Sequence, residues 1–404
     1  MRIRSITYFI HPRYPISENL LQKAGIFARQ AKEVFVQDGY PVQSVRLATP
    51  PFPTFLERED YRLAVNRIEI MAHGEGFEYA SLGTALTDQI DSYGAIPEML
   101  AHSSKLFFGG HLTTQSGEIC LPAVRACAEV ICGAATLEAG GFANLRFAAL
   151  ANVPPWVPFF PAAYHQGKAP AFGLAIEAAD LAVDAFSEAN SMKDAQDRLV
   201  QSIEAHARQI ESLGNQLAKT YQVEFKGIDF SLAPFPVQEI SIAAALEQLG
   251  LEKLGFSGSL AATTFLMSCL DRAKFTRTGF NGLMLPVLED PVLAMRGAEG
   301  VLGIKDLLLY SAICGTGLDT VPLPGDASVD QIQAVLLDIA ALSLRLNKPL
   351  TARLMPIPGK NAGDETGFNF EFFAPGKVLS LPANPLRGLL TGQENIHILS
   401  RLTG

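Results

Sequence analysis

Residues 311–326 read SAICGTGLDTVPLPGD and join a helical pattern to a strand pattern through two glycines. Residues 303–313 carry apolar side chains at helical spacing, and a glycine after such a run is typical of a helix C-terminus. LDTVPL (318–323) is a strand pattern, PGD is a turn, and Ser328 with Gln331 predicts the capped start of the next helix. The stretch therefore indicates the alternation of helices and strands found in α/β proteins.

The same alternation continues along the whole chain. Apolar strand patterns occupy residues 3–10, 42–48, 77–83, 105–110, 146–152, 171–177, 223–231, 280–287, 318–323 and 350–357. Helical patterns separate most of them, notably at residues 17–36, 120–135, 236–250, 259–273 and 329–346. Near-continuous apolar strands between helices indicate a mostly parallel sheet with surrounding helices. A count of about ten strands leaves two α/β architectures open, a ten-stranded barrel and an open doubly wound sheet.

One long helical pattern stands between the two halves of the chain. It begins at Ser191, with Asp194 three positions later as a capping partner, and extends to about residue 219. Its apolar residues form one stripe and its charges lie on the other faces. We expect a single α/β domain over residues 1–404, in which this amphipathic helix either covers the core or forms a dimer seam.

Composition and charge argue against several classes of protein. The 404 residues are 48% hydrophobic and 18% charged, with 32 Lys and Arg against 41 Asp and Glu, a net charge of −9. We expect no nucleic-acid partner, because phosphate contacts need concentrated basic residues. No apolar run is long enough to span a membrane, so no membrane partner is expected. The start lacks a signal-peptide pattern, and five cysteines without a CxxC pair fit reduced thiols, which predicts a cytoplasmic protein.

Two interpretations are open for Cys314 and Asp319 in the opening stretch. A helix end and a strand start explain the local pattern without any chemistry. In a TIM-type barrel the catalytic groups lie at the carboxyl ends of strands, which puts these two residues at the opposite face. The alternative is a nucleophilic thiol with an acid beside it. Spacing alone favours the structural interpretation.

Several sequence blocks together resemble one prokaryotic family, catalogued as a domain of unknown function with the number seven hundred and eleven. CGTGLDTVPLPGD (314–326) is similar to its cysteine-x-x-Gly-Leu-Asp segment. Further blocks resemble it in the same order: AIPEML (95–100), Asn152 and His165 flanking Pro158-Phe159, IDFSLAPFP (228–236) and GLMLPVLED (282–290). The resemblance spans most of residues 1–375.

The resemblance implies a fold. The family is similar to glycyl-radical enzymes of the pyruvate formate-lyase type, whose core is a ten-stranded α/β barrel with an internal active site. This implies a barrel here and brings Cys314 into reach of such a site. No radical mechanism is expected, because the tail GLLTGQENIHILSRLTG lacks the Arg-Val-x-Gly-aromatic loop. The segments 109–111 (GGH) and 175–180 (AIEAAD) also depart from the pattern of the family.

Four residues are candidates for catalysis: His165, His111, Glu177 and Cys314. His165 stands in an aromatic, proline-rich loop that could form a lid or a pocket wall, and His111 follows an apolar strand. Glu177 ends another apolar strand, where burial could raise the pKa of its carboxyl group for acid–base work. The alternatives are an ordinary loop histidine and a helix N-terminal charge.

Four further residues are candidates for substrate binding: Asn152, Asp229, Ser231 and Asp319. Asp229 ends a strand with Ser231 nearby and could orient a ligand, although an Asx turn would explain the same pattern. The histidines and carboxylates could hold a divalent metal only if folding brings them together, because no local ligand spacing is present. Without a GxGxxG or Walker loop, no nucleotide cofactor is expected.

These observations predict an enzyme that acts on a small polar metabolite inside the barrel by lyase or hydrolase chemistry of the acid–base type. A homo-oligomer is expected. The alternative is a non-catalytic protein that binds a small molecule or regulates through it on the same barrel. Convergence of Glu177, His165 and Asp319 within hydrogen-bonding reach would favour the enzyme, and scattered positions would count against it.

Overall fold

A computed structural model describes residues 1–58, 61–313 and 315–401. Its strands are β1 (Arg2–Phe9), β2 (Val42–Ala48), β3 (Tyr79–Ala85), β4 (Leu106–His111), β5 (Glu118–Cys120), β6 (Phe147–Ala151), β7 (Ala171–Glu177), β8 (Glu224–Ala233), β9 (Gly317–Pro324), β10 (Leu350–Ile357) and β11 (Asn395–His397). Nine of them form one sheet in the order β8-β7-β1-β2-β3-β4-β6-β10-β9, and β5 pairs with β11. Nine of the ten predicted strand patterns are therefore strands of the large sheet.

The large sheet consists of parallel sets that point in opposite directions. Neighbours within β1, β2, β3, β4 and β6 are parallel, as are β7 with β8 and β9 with β10. The sets meet in antiparallel pairs where β1 adjoins β7 and β6 adjoins β10. The α/β class with mostly parallel strands is confirmed, and carboxyl ends of strands are present at both ends of the sheet.

Residues 282–288 connect the two edge strands. The amide of Met284 donates to the carbonyl of Ser231 on β8 (3.3 Å), and the amide of Val287 donates to the carbonyl of Asp319 on β9 (3.0 Å). Pro286 has no amide proton, and Asn281 has a positive φ of 45°, so the segment does not form a regular strand. It takes the place of the tenth predicted strand, and the sheet surrounds an interior.

Helices cover the outside of the sheet. They are α1 (Glu18–Gln37), α2 (Tyr61–Gly74), α3 (Ile96–Ala101), α4 (Leu121–Ala134), α5 (Ala179–Ser187), α6 (Met192–Tyr221), α7 (Ile242–Gln248), α8 (Ser259–Arg272), α9 (Pro291–Ala298), α10 (Ile304–Ile313) and α11 (Val329–Leu346). Among the described helices, none has both the length and the apolarity that a bilayer span requires. The caps predicted at Ser191 and Ser328 are both present. The pattern at 236–250 yields a shorter helix, since Pro234 and Pro236 precede it.

The loop between β6 and β7, residues 152–170, lies against β1 and β3 of the large sheet. The hydroxyls of Ser5 and Thr7 on β1 donate to the carbonyl of Pro158 at 3.0 and 2.7 Å. Ser81 on β3 donates to the carbonyl of Ala163 at 2.7 Å. Strand hydroxyls therefore hold this loop in place, and it divides the interior space into two cavities.

Candidate functional site

The first cavity has a volume of about 610 Å³ and lies against strands of the large sheet. Side chains from both parallel sets line it, including Arg4, Arg46, Tyr79, Asp319 and Arg353. The loop between β6 and β7 contributes Phe159 and Phe160 on one side. We call this space the arginine cavity. Alternate residues of a strand point to one face, which is why the polar residues of MRIRS and VQSVR reach the same interior.

A chain of ion pairs crosses the arginine cavity. Its members alternate in sign and follow the order Arg2, Glu177, Arg4, Glu289, Arg353, Asp319. The distance from Arg4 Nη1 to Glu177 Oε2 is 3.4 Å. Arg353 Nη2 lies 2.8 Å from Glu289 Oε1 and its Nε lies 2.6 Å from Asp319 Oδ1. Three arginines and three carboxylates balance, so the chain as a whole is neutral.

Burial raises the pKa of the glutamates in this chain of ion pairs, and the arginines beside them lower it. Burial raises the pKa of Glu177 in spite of Arg4 and Arg2 beside it. Burial also raises the pKa of Glu289, but Arg4 and Arg353 outweigh it and leave that pKa below its ordinary value. The raised pKa predicted for Glu177 is therefore present, but arginines contact both of its carboxylate oxygens. Glu289, which the sequence analysis includes only within the block GLMLPVLED (282–290), lies in the middle of the ion-pair chain.

Arg46 lies beside this chain without belonging to it. Its Nε donates to Ser44 Oγ at 2.8 Å, and its guanidinium lies over the rings of Phe160 (5.1 Å) and Tyr79 (5.8 Å). No carboxylate of the described residues lies within 4.0 Å of it. Burial, together with neighbouring arginines such as Arg4, lowers the pKa of Arg46 to about 9, so the group is still protonated at neutral pH. The cavity carries one positive charge without a partner.

Two more polar atoms of this cavity lack partners among the described residues. Thr316 Oγ1 and Gln43 Oε1 are buried without a hydrogen bond, and both residues line the cavity. Such groups are rare, because an unpaired buried polar atom costs about 1–3 kcal/mol. Sequence reasoning missed Arg46, Gln43 and Thr316. The position of Thr316 within CGTGLD and the polar alternation in VQSVR were the available signals.

The second cavity has a volume of about 960 Å³ and lies at the carboxyl ends of β1 to β4 and β6. It is lined by His11, His111, Asn152, Tyr164 and His165, among others. The loop between β6 and β7 separates it from the arginine cavity. We call it the histidine cavity, and it brings together three of the eight predicted site residues.

Two histidines of this cavity, His111 and His165, are neutral at pH 7. His165 is 1% exposed, and neither of its ring nitrogens has a hydrogen-bond partner among the described residues. Burial, aided by His11, lowers the pKa of His165 to about 4, and burial does the same for His111. The ring of His111 meets Tyr164 edge-on at 5.4 Å. A neutral imidazole can accept a proton or donate a hydrogen bond, so acid–base work is chemically open here.

Asp229 and Ser231 lie outside the lining of both cavities. Asp229 contacts the Ser231 hydroxyl and accepts the amides of Phe280 (2.7 Å) and Asn281 (3.0 Å). Burial raises the pKa of Asp229 to about 6, although these hydrogen bonds oppose the shift. Ser231 Oγ accepts the amide of Gly282 at 3.3 Å. These contacts favour a structural role, since they hold the turn that leads into residues 282–288.

The structure does not bring Glu177, His165 and Asp319 together. Glu177 and Asp319 are two members of one ion-pair chain, with three other side chains between them. His165 lines the other cavity. Cys314 lies outside the described residues. Within the described ranges, no group of three His, Cys, Asp or Glu side chains could hold a metal ion, so the metal hypothesis has no support there.

The fold and these cavities define a mixed α/β protein whose large, mostly parallel sheet carries a cluster of buried charges, and comparisons with known proteins place it in a family. The family model described as Uncharacterised ACR (DUF711) matches residues 1–370. A UPF0210 protein of Pyrobaculum aerophilum is 33% identical over 352 residues, which cover 81% of this chain and 76% of the relative. A UPF0210 protein of Halothermothrix orenii is 28% identical over 398 residues, covering 91% and 88%. The chain belongs to the DUF711 family, which confirms the resemblance of its sequence blocks.

Proposed function

We propose that this protein binds a small organic anion in the arginine cavity. The observation that carries the proposal is Arg46, a partly buried guanidinium with no counter-ion among the described residues. A buried charge without a partner is costly, and it is ordinarily retained only where something supplies the opposite charge. A carboxylate could accept two parallel N–H bonds from the free edge of this guanidinium. The cavity volume of about 610 Å³ suits a small molecule.

The ion-pair chain supports this role by fixing the neighbours of Arg46. Arg4 and Arg353 are each held by two carboxylates, so their positions do not depend on a ligand. Their charges are balanced locally, which leaves Arg46 as the side chain that a ligand would neutralise. Ser44 Oγ and the rings of Tyr79 and Phe160 orient its guanidinium before binding occurs.

The first test is mass spectrometry of the purified protein under native and then denaturing conditions, followed by isothermal titration with benzoate. We expect an anion to bind the wild type and to bind Arg46→Met about 10- to 100-fold more weakly, as is typical when a charge-assisted hydrogen bond is lost. Arg29→Met, which changes an exposed arginine next to Glu75, is the matched control. Equal affinity of Arg46→Met and wild type, or no anion binding to the wild type, would overturn the proposal.

A second candidate function is acid–base catalysis of the lyase or hydrolase type on a small polar metabolite. It is favoured by the unpartnered imidazole of His165 beside His111 in the histidine cavity. The test incubates the anion that binds the protein with wild type and with His165→Gln and follows its mass. Conversion by the wild type alone would support the enzyme, whereas unaltered ligand in both samples would support non-catalytic binding.

We also infer a cytoplasmic location, a homo-oligomer, and a relationship to the barrel of pyruvate formate-lyase. The four cysteines in the described part of the chain are free, which supports a reducing compartment. Leu63 and Ile70, about 70% exposed, lie two turns apart on α2 and offer an apolar surface to a second copy. The two parallel sets joined by antiparallel pairs, with residues 282–288 between the edges, support the barrel. Light scattering of the purified protein tests the oligomer.

A further inference from the structure

The walls of the arginine cavity are strongly aromatic away from its charged groups. Its apolar lining comes from β3, β4 and the turn before β6, from the loop between β6 and β7, from the start of residues 280–288, and from the segment 368–373 (FNFEFF). The members are Tyr79, Phe107, Phe142, Leu145, Phe159, Phe160, Phe280, Met284, Phe370 and Phe372. Several of these rings also pack edge-on against each other, such as Phe142 with Phe370 at 5.0 Å. A ligand with an apolar body gains burial here, whereas sugar hydroxyls would find few partners.

The charges around the cavity favour one negative charge on the ligand. Among the described arginines that line it, Arg4, Arg146 and Arg353 have carboxylate partners, and Arg46 has none. Glu371 also lines the cavity and has no basic partner among the described residues, but it is exposed to solvent, so the surplus among the buried and partly buried groups is a single positive charge. A phosphate monoester carries close to two negative charges at pH 7 and would meet the carboxylates of the ion-pair chain. A carboxylate matches the surplus and the planar shape of the guanidinium.

The unpartnered polar atoms require a further group on the ligand. Thr316 is 2% exposed and its hydroxyl lacks a partner among the described residues. Gln43 Oε1 can only accept a hydrogen bond, so a ligand satisfies it only by donating one. A hydroxyl on the ligand can donate to Gln43 or pair with Thr316, whereas a purely apolar body would leave both atoms unsatisfied.

From these three features we infer that the ligand is a monocarboxylate with an aromatic body and a hydroxyl group. This inference rests on the proposed function and names the chemical class that the same cavity selects. Arg46 would bind the carboxylate, the phenylalanine-rich wall the ring, and Thr316 or Gln43 the hydroxyl.

Isothermal titration with four probes at pH 7.5 tests the class. The probes are 3-phenyllactate, 3-phenylpropionate without the hydroxyl, lactate without the ring, and phenyl phosphate as the dianion. We expect 3-phenyllactate to bind most tightly. 3-Phenylpropionate should bind about 10-fold more weakly, as for one lost hydrogen bond. Lactate should bind about 10- to 100-fold more weakly, as for a lost buried ring.

Two threonine variants separate recognition of the hydroxyl from a change in stability. Thr316→Val should erase the preference for 3-phenyllactate over 3-phenylpropionate and leave the affinity for 3-phenylpropionate unchanged. Thr84→Val is the matched control, because Thr84 Oγ1 is likewise buried without a partner but does not line the cavity. That variant should keep the full preference. The same preference in Thr316→Val as in wild type would transfer the role to Gln43, and Gln43→Met must then erase it.

These outcomes distinguish the proposed ligand class from the proposed binding of an anion. If lactate equals 3-phenyllactate, or phenyl phosphate binds most tightly, the ligand class is overturned. Dependence on Arg46 would in that case still uphold anion binding. If binding of the probes does not depend on Arg46, or none of them binds, both the class and the proposed function are overturned.

Discussion

The arginine cavity and the histidine cavity lie on opposite sides of one loop, yet they hold buried polar groups in different ways. In the arginine cavity the charges of Arg4, Glu289 and Arg353 persist because each has a partner of opposite sign. In the histidine cavity His111 and His165 stay neutral, because burial lowers the pKa of each to about 4. Arg46 is the exception, since a guanidinium that lacks a partner cannot lose its proton near neutral pH. This difference is the reason why we propose the arginine cavity, and not the histidine cavity, as the site of a charged ligand.

The direction of the strands explains why cavities form on both sides of this loop. The parallel sets run in opposite directions, so each end of the large sheet receives carboxyl ends of strands and the loops that follow them. The loop between β6 and β7 enters from one end and fills the space between the sets. The histidine cavity forms at the carboxyl ends of β1 to β4 and β6, whereas strands of both directions line the arginine cavity.

The largest effect is expected when the ion-pair chain is broken. Arg353→Met would leave Asp319 and one oxygen of Glu289 buried without a counter-ion, and should lower the free energy of unfolding by about 3–5 kcal/mol. Urea denaturation followed by circular dichroism measures the loss. Arg125→Met, which removes a half-exposed ion pair with Asp330, should change stability by about 1 kcal/mol or less. If Arg353→Met lowered the free energy of unfolding no more than Arg125→Met does, the ion-pair chain would not be what holds the charges of the arginine cavity.

The pH dependence of stability tests the neutral state of His165. Its folded pKa of about 4 lies below the unfolded value of about 6.5, so the unfolded state binds more protons between these values. Stability should therefore fall as pH drops from about 6.5 to about 4, with up to about 3 kcal/mol from this residue. Asp229, with a raised pKa, acts in the opposite sense.

Comparison of variants isolates the contribution of the histidine. The free energy of unfolding of His165→Gln should fall less steeply with acid than that of the wild type. His397→Gln, at an exposed position on β11, should follow the wild-type curve. Parallel curves for wild type and His165→Gln would show that His165 is not held neutral.

Replacement of Arg46 should raise the free energy of unfolding, whereas replacement of Arg353 should lower it. Arg46→Met removes an unpaired charge next to other arginines, so the empty protein should become more stable by about 1–2 kcal/mol. Urea denaturation after exhaustive dialysis measures the change, with Arg29→Met as the exposed control. Destabilisation by more than about 1 kcal/mol would show that Arg46 stabilises the fold and does not await a ligand.

The sequence predicted the strands of the large sheet far better than it predicted the contacts of the candidate site residues. Apolar strand patterns identify nine regular strands, because burial on both faces leaves a continuous signal. The pattern at 280–287 was predicted as a strand, but Pro286 removes one of the amides that a ladder needs. Glu177 and Asp319 were found as acids at strand ends, yet their partners Arg4 and Arg353 belong to distant segments. Pairing between strands that are far apart in sequence leaves no local spacing to read.

The smallest change in stability is expected when one hydrogen bond to the loop between the cavities is removed. Thr7→Val would remove one of two hydroxyls that donate to the carbonyl of Pro158, while Ser5 keeps the other. We expect a loss of about 1 kcal/mol in the free energy of unfolding, since the carbonyl keeps one donor. Thr54→Val, at an exposed hydroxyl that donates to the carbonyl of Pro51, should change stability by less than about 0.5 kcal/mol.

If the loop links the two cavities, Thr7→Val should also weaken 3-phenyllactate binding a few-fold, because Phe159 and Phe160 follow Pro158 directly into the arginine cavity. Unchanged binding at reduced stability would show that the loop acts as a fixed wall between them.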